Sequence, residues 1–277
     1  MKFIHLTDLH VVPADGRLYG LDPNERLDLA VVDINANHSD AEFVLVTGDL
    51  AHHGDSAAYA AVKHGLSALI PPVRLMIGNH DDRATFLQTF GECGFDTDGF
   101  VQFAFSASAG RFICLDTKRS GTHAGELCSA RLDFLERELE AANGQRVFIG
   151  MHHPPVRLGL PGMDAIPLLD EEPFWAVLSR HAPVAHIFCG HAHRPVHGAV
   201  QGIPFSLHRG LNHQVSLHFT EESGIPGSHE PPAYAVVQCT DTATIVHVHD
   251  FLDDSPRFDL FDLRAESARH TAELPQS

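Results

Sequence analysis

Phe3-Ile4-His5-Leu6-Thr7-Asp8-Leu9-His10 is an apolar run that ends in two residue types able to bind a metal ion. Phe3 to Leu6 reads as a strand. Outward from it, Pro23 to Asn37 carries Leu27, Ala30, Val31 and Ile34 at helical spacing, with Asp22 as N-cap and Pro23 at the first helical position. Phe43 to Val46 is predicted as the next buried strand, Ser56 to Leu69 as a helix capped by Ser56, Val73 to Ile77 as a strand and Arg83 to Phe90 as a short helix. Short apolar runs alternating with helix-period stretches are the pattern of strands joined by crossover helices, so the class is α/β.

The rhythm then changes. Phe100 to Phe105 and Arg111 to Leu115 are separated only by small residues and read as a hairpin. Ser129 to Ala142 and Glu171 to His181 are predicted helices, with strands at Val147 to Ile149 and Val184 to Phe188. Beyond Gly190, strands are expected at 196–200, 203–207, 214–219, 233–239 and 243–249 without helices between them. A second, mainly antiparallel sheet facing the first is expected from that run. The even spread of apolar runs favours one catalytic domain over 1–250. Residues 251–277 are charged and poorly periodic, as in a surface tail or an arm onto a neighbouring subunit. The Pro-, Gly- and Leu-rich loop 154–169 has the character of a lid or an interface.

Composition narrows the partners. A formal charge of -17 repels the phosphate backbone of long nucleic acid. No apolar run reaches the ~18 residues of a membrane span. Five Cys without a C-x-x-C pair argue against a disulfide framework, and with no signal peptide at the start a reducing cytoplasm is expected. The 22 His are the anomaly, and they invite a metal reading.

Polar clusters stand at the ends of five predicted strands: Asp8-Leu9-His10, Gly48-Asp49, Gly78-Asn79-His80-Asp81, His152-His153 and Gly190-His191-Ala192-His193. Ligands of open α/β sheets bind at the carboxyl ends of strands, so five clusters there can converge on one site. Alternation along an extended segment would aim Asp8 with His10, and His191 with His193, in one direction. Imidazole and carboxylate suit Fe, Zn, Mn or Co, and the absence of Cys excludes a zinc-thiolate centre. Seven donors (Asp8, His10, Asp49, Asn79, His152, His191 and His193) are too many for one ion. Two divalent ions sharing a carboxylate would activate a water and stabilise in-line displacement at phosphorus.

These motifs, in this order and spacing, resemble those of the calcineurin-like metallophosphoesterases. Arg17-Leu18-Tyr19-Gly20, Gly78-Asn79-His80-Asp81-Asp82, Met151-His152-His153-Pro154-Pro155 and Asn212-His213-Gln214-Val215 are similar to bacterial glycerophosphodiesterases and, less closely, to class III cyclic-nucleotide phosphodiesterases. The resemblance implies a four-layer α-β-β-α sandwich with helices outside two facing sheets. It implies that Asp8, His10, Asp49 and His193 hold one metal and that Asp49, Asn79, His152 and His191 hold the other, with Asp49 bridging. It also implies a homo-oligomer, a dimer or a hexamer.

The implied reaction is hydrolysis of a small phosphodiester, a glycerophosphodiester or similar, by a hydroxide activated at the metals. His80 would be the general acid, with Asp81 or Asp49 tuning it, and His80, Asn79 and His213 would meet the substrate. The alternatives on the same site are a 3',5'-cyclic-nucleotide phosphodiesterase and a phosphomonoesterase. An inactive scaffold of the same fold is more distant, because every implied ligand and His80 are in place. Few Arg or Lys lie near the motifs to bind a dianion, which favours diesters. His52, His53, His123, His197, His208 and His218 carry no motif and read as surface or supporting histidines, with His52 and His53 nearest the mouth of the site. His153 reads as a supporting residue and Arg83 as a helix-surface one.

Overall fold

The structure, a computed structural model, describes residues 1–260 apart from 92–95, 97, 182–183 and 221–223. Two sheets and their helices account for most of it. The first sheet has the order β13-β12-β1-β2-β3, with β1 (Lys2–Leu6), β2 (Val44–Val46), β3 (Val73–Leu75), β12 (Tyr234–Cys239) and β13 (Thr244–His249). Its strands β1, β2 and β3 are parallel, and β12 and β13 join antiparallel. The second sheet has the order β4-β5-β6-β7-β9-β8, with β4 (Phe103–Ala107), β5 (Gly110–Leu115), β6 (Val147–Met151), β7 (Val184–Cys189), β8 (Val196–Val200) and β9 (Ile203–Leu207). Here β5, β6, β7 and β9 are parallel, with β4 and β8 as antiparallel edges.

The expected separate sheet over 196–249 is therefore not formed. Its strands are divided: β8 and β9 extend the second sheet, while β12 crosses to pair with β1 of the first. The expected strand 214–219 shrinks to β10 (Gln214–Val215), which forms only a two-stranded ribbon with β11 (Gly227–Ser228). Hydrophobic patterning finds a strand but not its neighbour, because both sheets offer apolar edges of the same chemistry.

Period-two alternation builds the layers. Ile4, Leu6, Val44 and Val46 point to one face, against α1 (Pro23–His38), α2 (Ser56–Leu66) and α3 (Arg83–Phe90). Phe3, Phe43 and Leu45 point to the other, where they meet Phe112, Phe148 and Phe188 of the second sheet. Phe3 and Phe43 stack at 4.8 Å, and Phe112 and Phe148 at 4.7 Å. Each such buried ring contributes roughly 1.5–3 kcal/mol. The outer face of the second sheet packs on α4 (Ser129–Ala141) and α6 (Glu171–Leu178). The result is the helix-sheet-sheet-helix sandwich that the motifs imply.

Helix starts follow their caps. Asp22 accepts from Asn24 N and Glu25 N ahead of Pro23. In α2 the cap is Asp55, accepting from Ala58 N at 2.9 Å, one residue before the expected Ser56. The carboxylate is the stronger acceptor of the two, and it is also favoured at the positive end of the helix. Within loop 154–169 lies a single helical turn, α5 (Pro161–Asp164). Of the tail, residues 261–277 lie outside the described residues. No helix among the described residues is long and apolar enough to cross a membrane.

Candidate metal centre

The five polar clusters all leave the carboxyl ends of parallel strands: β1, β2 and β3 in one sheet, and β6 and β7 in the other. Backbone hydrogen bonds stitch the loops together. Asp8 N donates to Gly48 O, His10 N to Asp49 O and Gly190 N to His152 O. All seven expected donors are buried and face one another.

They do not meet by extended alternation. Asp8, His10, Asp49, His191 and His193 have φ of 52°, 47°, 51°, 72° and 47°, the left-handed region that non-glycine residues seldom occupy. Such a conformation costs on the order of 1–3 kcal/mol per residue and persists only where surrounding contacts over-determine it. The reason is geometric: each loop must fold back over its strand end, so left-handed turns, not a pleat, aim the side chains inward. Gly78 makes room, since a Cβ there would stand 2.6 Å from Asp49 N and 2.7 Å from His152 Cε1.

Two groups of donors result. In one, His10 Nε2 lies 3.0 Å from His193 Nε2, and His193 Nε2 lies 3.3 Å from Asp8 Oδ1. In the other, Asn79 Oδ1 lies 3.0 Å from His152 Nε2 and 2.9 Å from His191 Nδ1. Asp49 Oδ2 stands between them, 3.5 Å from His10 Nε2 and 3.4 Å from His152 Nε2.

The ring tautomers test whether this set fits metal ions. A carbonyl only accepts, so His193 donates Nδ1–H to His213 O, His152 donates Nδ1–H to Thr47 O and His191 donates Nε2–H to Ile166 O. Once its second nitrogen is free of a proton, each ring turns a lone pair into the cluster, against the carbonyl oxygen of Asn79 and the carboxylates of Asp8 and Asp49. Lone pairs converging at 3 Å fit a cation between them. Asn79 is oriented to match, its Nδ2 held 2.9 Å from His123 Nδ1. Burial holds His10 and His191 well below the usual imidazole range and so keeps them neutral. For His152, burial also opposes charge, but the adjacent Asp49 carboxylate outweighs it and pushes the ring up to about 9. The carboxylates of Asp8 and Asp49, which favour a proton on His193 and His152, would favour divalent cations at the same nitrogens.

His80 lies on the cavity wall. Its Nδ1 donates to His52 O at 2.8 Å, leaving Nε2 as the nitrogen available to a substrate. Neither expected carboxylate touches the ring. Asp49 Oδ1 accepts from the backbone His80 N, and Asp81 is buried against Leu50 N, Ala51 N, Gly78 N and the Tyr59 hydroxyl. Burial raises Asp81 to about 6, so it serves as a scaffold for the loops. The His213 ring lies 4.9 Å from that of His10 and 4.7 Å from that of His193, and burial lowers it to about 3.

His52, expected only near the mouth, is buried, with Nδ1 3.0 Å from His10 Nδ1. Its position three residues after Asp49, in the same loop, was the available signal. His123 contacts Asn79, His208 is buried beside His5, and His197 is exposed. His153 is buried between Thr117 and His123 O. Arg83 is not a free helix-surface residue, because it grips Asp116 through Nε at 2.8 Å and Nη2 at 3.0 Å.

The family model for calcineurin-like phosphoesterase matches residues 1–195, which carry every expected metal donor. The chain belongs to the calcineurin-like phosphoesterases. A probable cyclic nucleotide phosphodiesterase of Rhodopseudomonas palustris is 44% identical over 95% of this chain and 97% of its own length. A glycerophosphodiester phosphodiesterase of Enterobacter lignolyticus is 31% identical over 70% of this chain and 71% of its own. In fold, a dimetal phosphatase from Danio rerio superposes with a TM-score of 0.69 at 16% identity, covering 91% of this chain and 96% of that one. This calcineurin-like phosphoesterase is a metal-dependent phosphoric diester hydrolase.

Proposed function

We propose that this phosphoesterase hydrolyses 3',5'-cyclic nucleotides. The observation that carries the diester class is the cavity lining: a space of about 750 Å³ is lined by Asp49, Asn79 and eight His, and among the described residues no Lys or Arg lines it. A phosphomonoester dianion would call for such cations, whereas a diester monoanion does not. The finer choice leans on similarity. The relative at 44% identity is named for cyclic nucleotides, and the glycerophosphodiester relative is more distant, so the cyclic-nucleotide reading displaces the glycerophosphodiester one as first choice.

In this reading Asp8, His10, Asp49 and His193 hold one divalent ion, Asp49, Asn79, His152 and His191 hold the second, and Asp49 is shared. The ions would supply an activated water and neutralise charge building on the phosphoryl oxygens. The chain's own residues do the rest. Asn79, through the amide, and His80 meet the phosphoryl group at the floor, and His213 flanks it. His80, protonated and held through Nδ1 by the His52 carbonyl, hands the Nε2 proton to the departing 3'-alkoxide.

Chelator-stripped protein reloaded with Mn, Co or Zn, and assayed on cyclic AMP, glycerophosphoethanolamine and nitrophenyl phosphate, tests this. Metal-dependent turnover highest on cyclic AMP is expected. Preference for glycerophosphoethanolamine would return the reading to a glycerophosphodiesterase, and preference for nitrophenyl phosphate would remove the diester class.

A further inference from the structure

The cavity has two unlike halves. The floor is ionic, but the outer wall is built from Met163, Ile166, Val215 and Ile225, with Tyr19 at the mouth. Met163 lies in α5 and Ile166 just beyond it. Val215 and Ile225 lie in β10 and ahead of β11. These are two separate excursions of the chain, and they touch: a Cβ on Gly162 would stand 2.6 Å from Gly224 O and 3.0 Å from Ile225 Cγ1. Water-facing loops seldom turn that much apolar side chain toward a polar site unless something apolar enters it.

Tyr19 is held in place despite being 60% exposed. Its backbone is left-handed at φ 53°, its carbonyl accepts from His229 Nε2 at 3.0 Å, and its ring lies 4.6 Å from that of His213. An exposed aromatic face and aliphatic side chains thus line the same cavity, a setting suited to a flat heteroaromatic ring.

We infer that this outer wall is the nucleobase subsite, with Ile225 and Met163 on one side of the ring and Tyr19 at its edge; this inference rests on the cyclic-nucleotide reading. Of the polar side chains on this wall, Gln214 and Ser228 are already engaged, and the Tyr19 hydroxyl, able both to donate and to accept, suits either purine edge. Gln214 Oε1 accepts from Gly210 N while its Nε2 donates to Gly210 O, and Ser228 Oγ bonds with Glu230. Base edges therefore find little directional hydrogen bonding. The subsite holds a base by burying its faces and does not separate adenine from guanine, so a hydrogen-bonded discrimination of 10⁴-fold or more is not expected.

The test compares kcat and KM of the metal-loaded enzyme for cyclic AMP, cyclic GMP and methyl riboside 3',5'-cyclic phosphate, which has the same reacting centre and no base. Cyclic AMP and cyclic GMP are expected within about tenfold of each other in kcat/KM, and each about 10–100-fold above the base-free compound, with the gain in KM. Ile225→Asp should shrink the ratio of cyclic AMP to base-free substrate by tenfold or more, and Ile225→Leu should keep it. Equal kcat/KM with and without a base would overturn the subsite while leaving the cyclic-nucleotide reading intact. So would an unchanged ratio in Ile225→Asp. No turnover of any cyclic phosphate alongside hydrolysis of glycerophosphoethanolamine would overturn both.

Discussion

His10 Nδ1 lies 3.0 Å from His52 Nδ1, two buried imidazoles of which one must donate and the other accept. Because His10 Nε2 faces the metal donors, its proton belongs on Nδ1, and His52 is the acceptor that keeps it there. Groups that orient a metal-binding His in this way are worth about 10–100-fold in metal affinity. His52→Ala is therefore expected to weaken one of two ions by that factor and leave the ion near Asn79 in place. Metal content per chain after dialysis against a graded chelator measures this. Retention of both ions with unchanged affinity would rule the role out.

His80→Ala should slow hydrolysis of a substrate with an alkoxide leaving group by roughly 10²–10⁴-fold. A nitrophenyl diester, whose leaving group departs without a proton, should lose far less. Parallel steady-state assays on cyclic AMP and bis-nitrophenyl phosphate decide it, and equal losses on both would end the general-acid assignment.

Gly78→Ala would place a methyl group against Asp49 and His152 where no side chain can yield without moving a donor. Overpacking of this kind costs roughly 1–3 kcal/mol. The expected outcome is a lower melting temperature together with a drop in metal stoichiometry. A variant that matches the parent in both would show that the loops tolerate a Cβ.

Acid should destabilise the fold through buried histidines that are not among the seven donors. His186 is lowered from 6.5 to about 4, mainly by burial, with His197 adding repulsion, and its Nε2 bonds to Ser206 Oγ at 2.8 Å. Folding lowers its pKa, so the unfolded chain binds the proton more tightly. The neutral ring's contribution is complete above about pH 6.5 and is lost progressively as pH falls toward about 4. Buried His208, also lowered to about 4, acts in the same direction. Urea unfolding at pH 7.5 and 5.0 should show His186→Gln losing less stability on acidification than the parent. A loss as large as the parent's would locate the acid sensitivity elsewhere.

The strand-end clusters from Asp8 to His193 were readable in the chain because both the apolar run and the polar pair after it are local features. The same holds for α1, whose cap Asp22 and Pro23 sit beside the residues they organise. His52 was readable only as a neighbour of Asp49 near the site, since its spacing does not say which of the other imidazoles it will face.

By itself, then, the sequence determined an α/β chain whose strands end in the donor chemistry of a metallophosphoesterase, because residue type and spacing set local conformation and donor chemistry. Only the tertiary structure decided that β12 pairs with β1 while β8 and β9 join β7, and that left-handed turns at five donors aim them inward. Those outcomes depend on contacts between distant segments, such as Asp8 with His191 and Lys2 with Gln238. Long-range packing selects among backbone conformations that the local sequence leaves open.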